Sequence, residues 1–420
     1  MKESGPEHQG CPRMSWKWAV CGLLLLASAV NYMDRQTLAN ASVRITRELG
    51  LTDAEYGRVE GVFGYAFALG SVVFGWMADR RSLRGLYAAV LASWSVAGMA
   101  TGFVGDGTQL FWCRAALGFF EAGHWPCAIR TTRLLLEAKD RPLGNGLLQG
   151  GASVGAIVTP LVMLALMGTG AGEWRRPFVV VGAAGLAWLV PWLWLVRDSD
   201  LGCRPAAPPK AFAGLGELLA SRRMWLVLAT IACINTTWQV MRAWLPKFLQ
   251  QGRGLAESNA LWFNSAWFLM ADVGCIGAGA LVTWLVMRGR DAHGARLGVF
   301  GCCAALCAVG VAIPWLPAGP WLLGALGMVA AGSLGVFPLY HAFTQELPAS
   351  RQGLVTGLAG VAGWIMPAQA QQALGQLATR TGSLDAGLAL AALLPLVPWI
   401  LLAFAWGMDS REGRREPQAS

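Results

Sequence analysis

Apolar stretches of about 18–25 residues recur along this 420-residue chain, and each is long enough to cross the ~30 Å hydrocarbon core of a bilayer. A soluble helix carries one apolar stripe, whereas these stretches are apolar on every face. The composition agrees, because 55% of the residues are apolar and only 14% are charged, against about 25% charged in an average soluble protein. We therefore predict an all-α membrane protein.

Twelve spans fit this pattern, and boundaries are set by polar or charged breaks. They lie at residues 16–38, 55–78, 84–103, 108–131, 143–168, 177–196, 224–249, 259–287, 296–315, 320–344, 353–376 and 385–407. The longest polar interruption separates spans six and seven. We predict an N-terminal tail at 1–15, a six-helix half at 16–196, a linker at 197–223, a second half at 224–407 and a tail at 408–420. Two pseudo-symmetric halves of this kind can rock around a site at the bilayer midplane.

The net charge of +9 reflects where the cations lie along the chain. When alternate loops are assigned to the cytoplasm, most of the 33 Lys and Arg fall on that side. This positive-inside bias predicts a multi-pass protein of the cell's inner membrane with both termini in the cytoplasm. The basic charge thus reports topology, and we expect no nucleic-acid partner.

The ten Cys show neither CxxC pairs nor metal-ligand spacing with His, so we interpret them as small packing residues and expect no metal. The first apolar segment follows Lys17 and runs directly into Asp34 and Arg35. It is too long for a signal peptide, and we predict a retained helix. Gly151 and Gly155 in span five are spaced for a close helix crossing.

Charged residues inside the spans are the main candidates for function. Each costs roughly 2.5–3.5 kcal/mol at the bilayer centre, so together they would cost on the order of 15–20 kcal/mol if they faced lipid. They must therefore pair with one another or face a water-filled cavity. The six candidates are Asp34, Arg35, Arg114, Glu121, Arg242 and Asp272.

Span four presents a cation, a gap and an acid on one face. Arg114 and Glu121 are two helical turns apart with Gly118 between them, and His124 lies one turn further on. Such a face can line a path for an anion and a proton. In span one, the neighbours Asp34 and Arg35 point about 100° apart. One of them can face span four while the other faces the central cavity.

Structural roles are open for each of these residues. Asp34 can serve only to neutralise Arg114, and Glu121 only to accept a hydrogen bond. Arg242 lies near one end of span seven and can extend to the interface. Asp272 is as well suited to a structural role as to coupling. His124 and His341 are of a type that is more often a hydrogen-bonded core histidine than a proton carrier.

Three segments resemble the anion:cation symporter group of the major facilitator superfamily, in particular bacterial hexuronate and galactonate transporters. They are residues 31–35 (NYMDR), 118–126 (GFFEAGHWP) and 151–156 (GASVGA). The similarity is strong over about residues 25–160. It is looser at residues 244–249 (WLPKFL) and 271–274 (ADVG).

This resemblance implies the twelve-helix major facilitator fold and proton-coupled uptake of a sugar acid or similar organic anion. Position by position, Asp34 and Glu121 match the group's proton-handling acids. Arg35 matches an Arg that binds a carboxylate, and Arg114 matches an Arg that partners the acid of span one. The aromatic residues Tyr32 and Tyr340 match substrate-facing positions. We include Arg242 and His124 among the candidate substrate contacts.

The chain also departs from its relatives. The superfamily's loop signature G-x-x-x-D-R-x-G-R-R reads GWMADRRSLR at residues 75–84, and its second copy has Thr283 and Trp284 in place of Asp and Arg. Span eleven has only Gly360 or Val361 where relatives place a polar residue for sugar hydroxyls. Arg242 stands at a usually apolar position. These departures leave the substrate open.

We therefore predict a monomeric secondary transporter that imports a small organic anion with protons, needs no cofactor and is not an enzyme. The main alternative is an organophosphate or anion antiporter, because Arg35 and Arg242 can face each other across the halves and an Arg pair suits phosphate. A drug exporter fits less well, since several Arg favour anions. A transport-dead sensor is disfavoured by the short tails, and no nucleophile–base pair supports an enzyme.

Overall fold

The computed structural model describes residues 14–170, 172–201, 215–345 and 352–405, and these residues form long helices joined by short turns. The spans of the N-terminal half are Met14–Glu48, Asp53–Ala78, Leu83–Thr101, Gly107–Glu121 followed by His124–Leu135, Arg141–Leu166 and Arg175–Leu195. Those of the C-terminal half are Arg222–Lys247 with the π-helical turn Phe248–Gly252, Glu257–Met287, Ala292–Ala308 with Val309–Trp315, Pro320–Gly335 with Phe337–Gln345, Gln352–Thr381, and Asp385–Leu393 with Leu396–Ala405.

Ten of the spans in the described residues are long and apolar enough to cross a membrane. Span four is not among them because it breaks at Ala122 and Gly123 into two short helices. Span eleven is not among them either, and it is rich in Gln, including the buried Gln371. Both exceptions lie beside the candidate charges, where a helix faces other helices more than lipid.

Span one ends at Glu48, ten residues later than predicted. The prediction stopped at the first polar run, but Gln36, Asn40 and Thr46 in that run are buried. These side chains face neighbouring helices instead of water. A hydropathy boundary therefore fails where a polar helix face is covered by the rest of the bundle.

Glycines set the closest helix contacts. A Cβ atom at Gly151 would lie 2.1 Å from the carbonyl oxygen of Leu25, and one at Gly155 would lie 2.3 Å from that of Ala29. The predicted close crossing at these glycines is confirmed, and it joins spans five and one. Across the two halves, a Cβ at Gly57 of span two would lie 2.5 Å from the carbonyl oxygen of Gln371 in span eleven.

The two halves close against each other at one end of the bundle, where span one ends and span two begins. We call this the closed end. Arg44 forms an ion pair of 2.5 Å with Glu257, and Lys247 pairs with Asp53. The hydroxyl of Tyr56 donates to the carbonyl of residue 243 at 3.0 Å. Every hydrogen bond and ion pair that joins two described residues of opposite halves lies at this end or near the midplane.

Candidate substrate and proton site

Arg35 is the centre of the buried charge cluster, and only 2% of it is exposed. Its Nη2 and Nε atoms donate to Oε2 of Glu121 at 2.8 and 3.2 Å. Nη2 also donates to Oδ1 of Asn31, one turn earlier on the same helix, at 3.2 Å. The structure thus brings together a cation of span one and an acid of span four, both of which the sequence predicted as site residues.

Four aromatic rings surround the guanidinium of Arg35. Its Cζ atom lies 4.9 Å from the ring centre of Tyr32, 5.1 Å from that of Trp364, and 5.3 Å from those of Phe63 and Phe67. Trp364 belongs to span eleven, so both halves contribute. Aromatic faces stabilise a desolvated cation by about 2 kcal/mol or more. This cage stabilises the guanidinium of Arg35 beside its single carboxylate partner.

Glu60 in span two forms the second part of the cluster, and it is not among the residues predicted from the sequence. Its Oε1 atom accepts from Nη2 of Arg114 at 3.3 Å, and its Oε2 atom accepts from Nη2 of Arg242 at 3.0 Å. All three side chains are at most 2% exposed. One carboxylate therefore bridges a cation of the N-terminal half and a cation of the C-terminal half.

A usable signal for Glu60 was present in the sequence. The residue lies among Gly57, Gly61 and Gly64, and each of these glycines packs against span eleven within 2.9 Å of a built Cβ. A run of small residues marks a tightly packed face. An acid on that face is covered by protein, although its place near a helix end suggests exposure.

Asp34 does not pair with Arg114, contrary to one of the sequence-based expectations. Both carboxylate oxygens of Asp34 are buried and have no hydrogen-bond partner. The carboxylate lies against span three, where a Cβ at Gly98 would be 2.6 Å from Oδ1. Arg114 is paired with Glu60 instead, and its Nε and Nη1 atoms have no partner. Asp34 and Arg35 thus point to different neighbours, as their 100° separation predicts.

Arg242 lies inside the protein and does not extend to the interface. Its Nε atom donates to Oε1 of Gln239 at 2.7 Å, and Nη1 lies 3.5 Å from the carbonyl oxygen of Arg35. With its bond to Glu60, the residue is held in the cluster by both halves. The snorkelling alternative is therefore wrong, because only 1% of the residue is exposed.

His124 has the environment of a hydrogen-bonded core histidine. Its Nε2 atom is 2.9 Å from the hydroxyl of Ser28, and its Nδ1 atom is 2.8 Å from that of Tyr87. Both ring nitrogens are thus engaged within the N-terminal half. Span four is interrupted at Ala122 and Gly123, and His124 is the first residue of the next helix.

Two further candidates lie at the edges of the cluster. Tyr340 is buried and packs against the ring of Phe337 at 5.2 Å between centres. Asp272 accepts a hydrogen bond of 2.9 Å from Ser153, which links span eight to span five across the halves. Neither residue forms an ion pair with a described member of the charge cluster.

A buried site with three Arg and three acids at the meeting plane of two six-helix halves is the arrangement of a membrane transporter for charged solutes. The Major Facilitator Superfamily model matches residues 24–370, and the chain belongs to this superfamily. Its members are transporters, so the expectation of a transporter and not an enzyme is confirmed. The predicted fold of twelve transmembrane helices in two halves is confirmed as well.

Several named transporters are similar to this chain. A probable sulfoacetate transporter of Cupriavidus necator is 28% identical over 399 residues, covering 89% of this chain and 90% of the relative. A probable galactarate/D-glucarate transporter of Bacillus subtilis is 25% identical, covering 93% and 92%. A probable L-galactonate transporter of Escherichia coli is 27% identical over 64% of this chain and 62% of the relative. The predicted resemblance to sugar-acid transporters is thereby confirmed.

Solved structures support the fold alone. A bacterial homolog of the human lysosomal transporter Spinster, in an inward-facing and occupied conformation, superposes with a TM-score of 0.76 at 18% identity. The superposition covers 96% of this chain and 99% of that one.

Proposed function

We propose that this protein is a secondary active transporter that imports a small organic anion together with protons by alternating access. The substrate class is that of the named relatives, a sulfonated or sugar-derived carboxylic acid. Energy comes from the proton gradient, so no cofactor is needed. The working unit is a monomer in the inner membrane with both termini in the cytoplasm.

The observation that carries this proposal is the buried ion pair between Arg35 and Glu121. A substrate carboxylate or sulfonate needs a cation, and the cation here is occupied by a titratable acid. Proton binding to Glu121 removes its charge and frees Arg35 for the anion. Removing one charge from a buried pair leaves the other uncompensated at a cost of about 3–5 kcal/mol. Proton and anion therefore bind together more favourably than either does alone.

Asp34 supplies a second proton-handling group in this proposal. An ionised carboxylate without hydrogen bonds is costly in a buried site, and both oxygens of Asp34 lack partners. A bound proton satisfies this environment. Asp34 precedes Arg35 on span one, and its carboxylate lies against Gly98 of span three. A small movement of span one can therefore couple the protonation of Asp34 to anion binding at Arg35.

With cytoplasmic termini, the closed end faces outward and the structure corresponds to the inward-facing state. The outward-facing state then requires the contacts at Arg44, Asp53 and Glu257 to separate. Glu121 and Asp34 take up protons in that state, the anion binds Arg35, and the halves rock. Release of both to the cytoplasm restores the Arg35–Glu121 pair.

Uptake into proteoliposomes tests the proposal. Purified protein should accumulate sulfoacetate, galactonate or galactarate when the outside is more acidic than the inside, and collapse of the gradient should stop accumulation. Glu121→Gln should lose gradient-driven accumulation and retain exchange of labelled for unlabelled substrate. Accumulation by the Glu121→Gln protein under a proton gradient would contradict the role assigned to this acid.

The same vesicles test the antiporter alternative. Arg35 and Arg242 lie on facing helices, and Nη1 of Arg242 is 3.5 Å from the backbone carbonyl oxygen of Arg35. Vesicles loaded with inorganic phosphate would then take up an organophosphate without a proton gradient. If this counterflow occurs and proton-driven uptake does not, the protein is an exchanger and the symport proposal is wrong.

A further inference from the structure

We propose that the site is built for dianions, with Arg35 binding one acidic group of the substrate and Arg242 with Arg114 binding the other, in the place that Glu60 fills here. This inference rests on the proposed anion transport and specifies its substrate class. It makes Arg242 the residue that sets specificity and Glu60 the internal anion that the substrate replaces.

The first step is that the cluster contains two separate positions for an anion, and each holds a carboxylate of the protein. Oε2 of Glu121 fills the position at Arg35, at 2.8 Å. The carboxylate of Glu60 fills the position between Arg114 and Arg242. An anionic group of a substrate has the same charge and acceptor geometry as these carboxylates and can take either place.

The second step is that the two positions are close enough for one small molecule. Nη1 of Arg242 is 3.5 Å from the backbone carbonyl oxygen of Arg35, and the ring of Phe63 lies against both Arg35 and Arg114, at 5.3 and 4.6 Å. One aromatic side chain therefore borders both positions. Two acidic groups joined by a short chain can reach both.

The third step is an imbalance of charge in the second position. Two guanidinium groups share one carboxylate there, and the Nε and Nη1 atoms of Arg114 have no acceptor although they are fully buried. Buried donors without acceptors are costly. The position between Arg114 and Arg242 can therefore donate further hydrogen bonds to an anion. A monoanion bound at Arg35 alone would not accept them.

Glu60 can give up its place only by losing its charge or moving away. The charged groups that face it are Arg114 from span four and Arg242 from span seven. Its own helix adds Tyr56, whose hydroxyl is bonded to a backbone carbonyl, and span eleven adds the uncharged Gln371 and Gln372 beside the neighbouring glycines. No described acid other than Glu60 competes for these two Arg within ion-pair distance.

Charge balance then links Glu60 to proton coupling. Each acidic group of the substrate that binds an Arg displaces one internal carboxylate, and each displaced carboxylate stays neutral by taking up one proton. A dianion thus requires one more proton than a monoanion, and the loaded site has the same net charge in both cases. Import releases the protons with the substrate, which restores both internal ion pairs.

Two matched pairs of ligands test the inference on the purified full-length protein. Galactarate and galactonate differ by one terminal carboxylate in place of a hydroxymethyl group, and sulfoacetate and 2-hydroxyethanesulfonate differ in the same way. Ligand-induced thermal stabilisation reports binding without any assumption about coupling. We expect the dianion of at least one pair to bind about tenfold or more tightly than its monoanion.

Three variants identify the residues responsible. Arg242→Gln should bring the two affinities within about twofold, and Arg242→Lys should restore part of the preference because it keeps the charge. Glu60→Gln should bind the dianion at least as tightly as the wild type at alkaline pH and should lower the proton-to-dianion ratio by one. Arg253→Gln, which also breaks an ion pair of the C-terminal half, with Asp385, should leave the preference unchanged.

The outcomes separate this inference from the proposed function. Equal binding of both members of each pair, or a preference that survives in folded Arg242→Gln protein, overturns the dianion site while anion transport stands. Loss of dianion binding in folded Glu60→Gln protein overturns the role of Glu60. Failure of all four ligands to bind overturns both proposals.

Discussion

The central charge cluster and the closed end both join the halves through ion pairs, but the pairs differ in their access to water. At the centre, Arg242 and Glu60 form the pair across the halves, and their side chains are 2% and 0% exposed. At the closed end, Arg44 and Glu257 are 23% and 26% exposed, and the buried Lys247 pairs with Asp53, whose side chain is 27% exposed. A partly exposed pair exchanges readily with water and contributes little, whereas a buried pair cannot lose one charge without a large penalty. The first kind suits a gate, and the second suits obligatory coupling.

The largest effect should follow from Arg35→Gln. This variant leaves Glu121 buried without its cation, at a cost of about 3–5 kcal/mol unless the acid takes up a proton. It also removes the proposed anion contact, so uptake should fall by at least about 100-fold. Arg44→Gln is the matched control at the closed end and should keep measurable uptake. Comparable losses in both folded variants would remove the distinction between the two regions.

A smaller effect should follow from Gly57→Ala at the interface of spans two and eleven. The added methyl group would lie 2.5 Å from the carbonyl oxygen of Gln371, so the closed end must separate. Spin-label distances across this end should show a larger open population. Gly75→Ala is the control on the same helix, because no atom lies within 4 Å of a Cβ built there. If both variants close equally well, glycine packing does not hold this end shut.

Arg44→Gln itself should cause a smaller increase in the open population at the closed end. Exposed and half-exposed ion pairs contribute about 1 kcal/mol or less, so the open population at the closed end should rise by no more than about fivefold. The same spin-label measurement reports it. Since Arg44 also donates to the carbonyl oxygen of residue 168 at 2.7 Å, Glu257→Gln separates the ion pair from that bond. A shift with Arg44→Gln alone would assign the effect to the backbone contact.

The fold and much of the site followed from the sequence because bilayer thickness imposes a strong constraint on helix length. The penalty for intramembrane charge likewise singled out Arg35, Arg114, Glu121 and Arg242, all of which lie in the cluster. Helix length and the presence of a charge inside a span can both be read directly from the sequence.

The pairing of the charges could not be obtained in the same way. Which acid meets which Arg depends on helix rotation and tilt, and these are set by contacts such as those of Gly57 and Gly118 with neighbouring backbone. Glu60 lies inside the predicted span two but was left out of the candidate charges, although the neighbouring glycines mark a covered helix face. The interruption of span four at residues 122 and 123 likewise leaves no periodic signal.

The smallest effect should follow from Asp272→Asn, at a contact between the halves that is a hydrogen bond and not an ion pair. Asp272 joins the halves near the midplane through the hydroxyl of Ser153, at 2.9 Å, and forms no ion pair with a described residue. The amide of Asn keeps an acceptor for that hydroxyl, and a single hydrogen bond contributes only about 1 kcal/mol. Because Asn keeps this bond, uptake should change by less than about twofold. Ser153→Ala removes the bond altogether and should lower uptake by no more than about fivefold. A loss of uptake with Asp272→Asn but not with Ser153→Ala would show that the charge itself is needed, and would extend the coupling site into span eight.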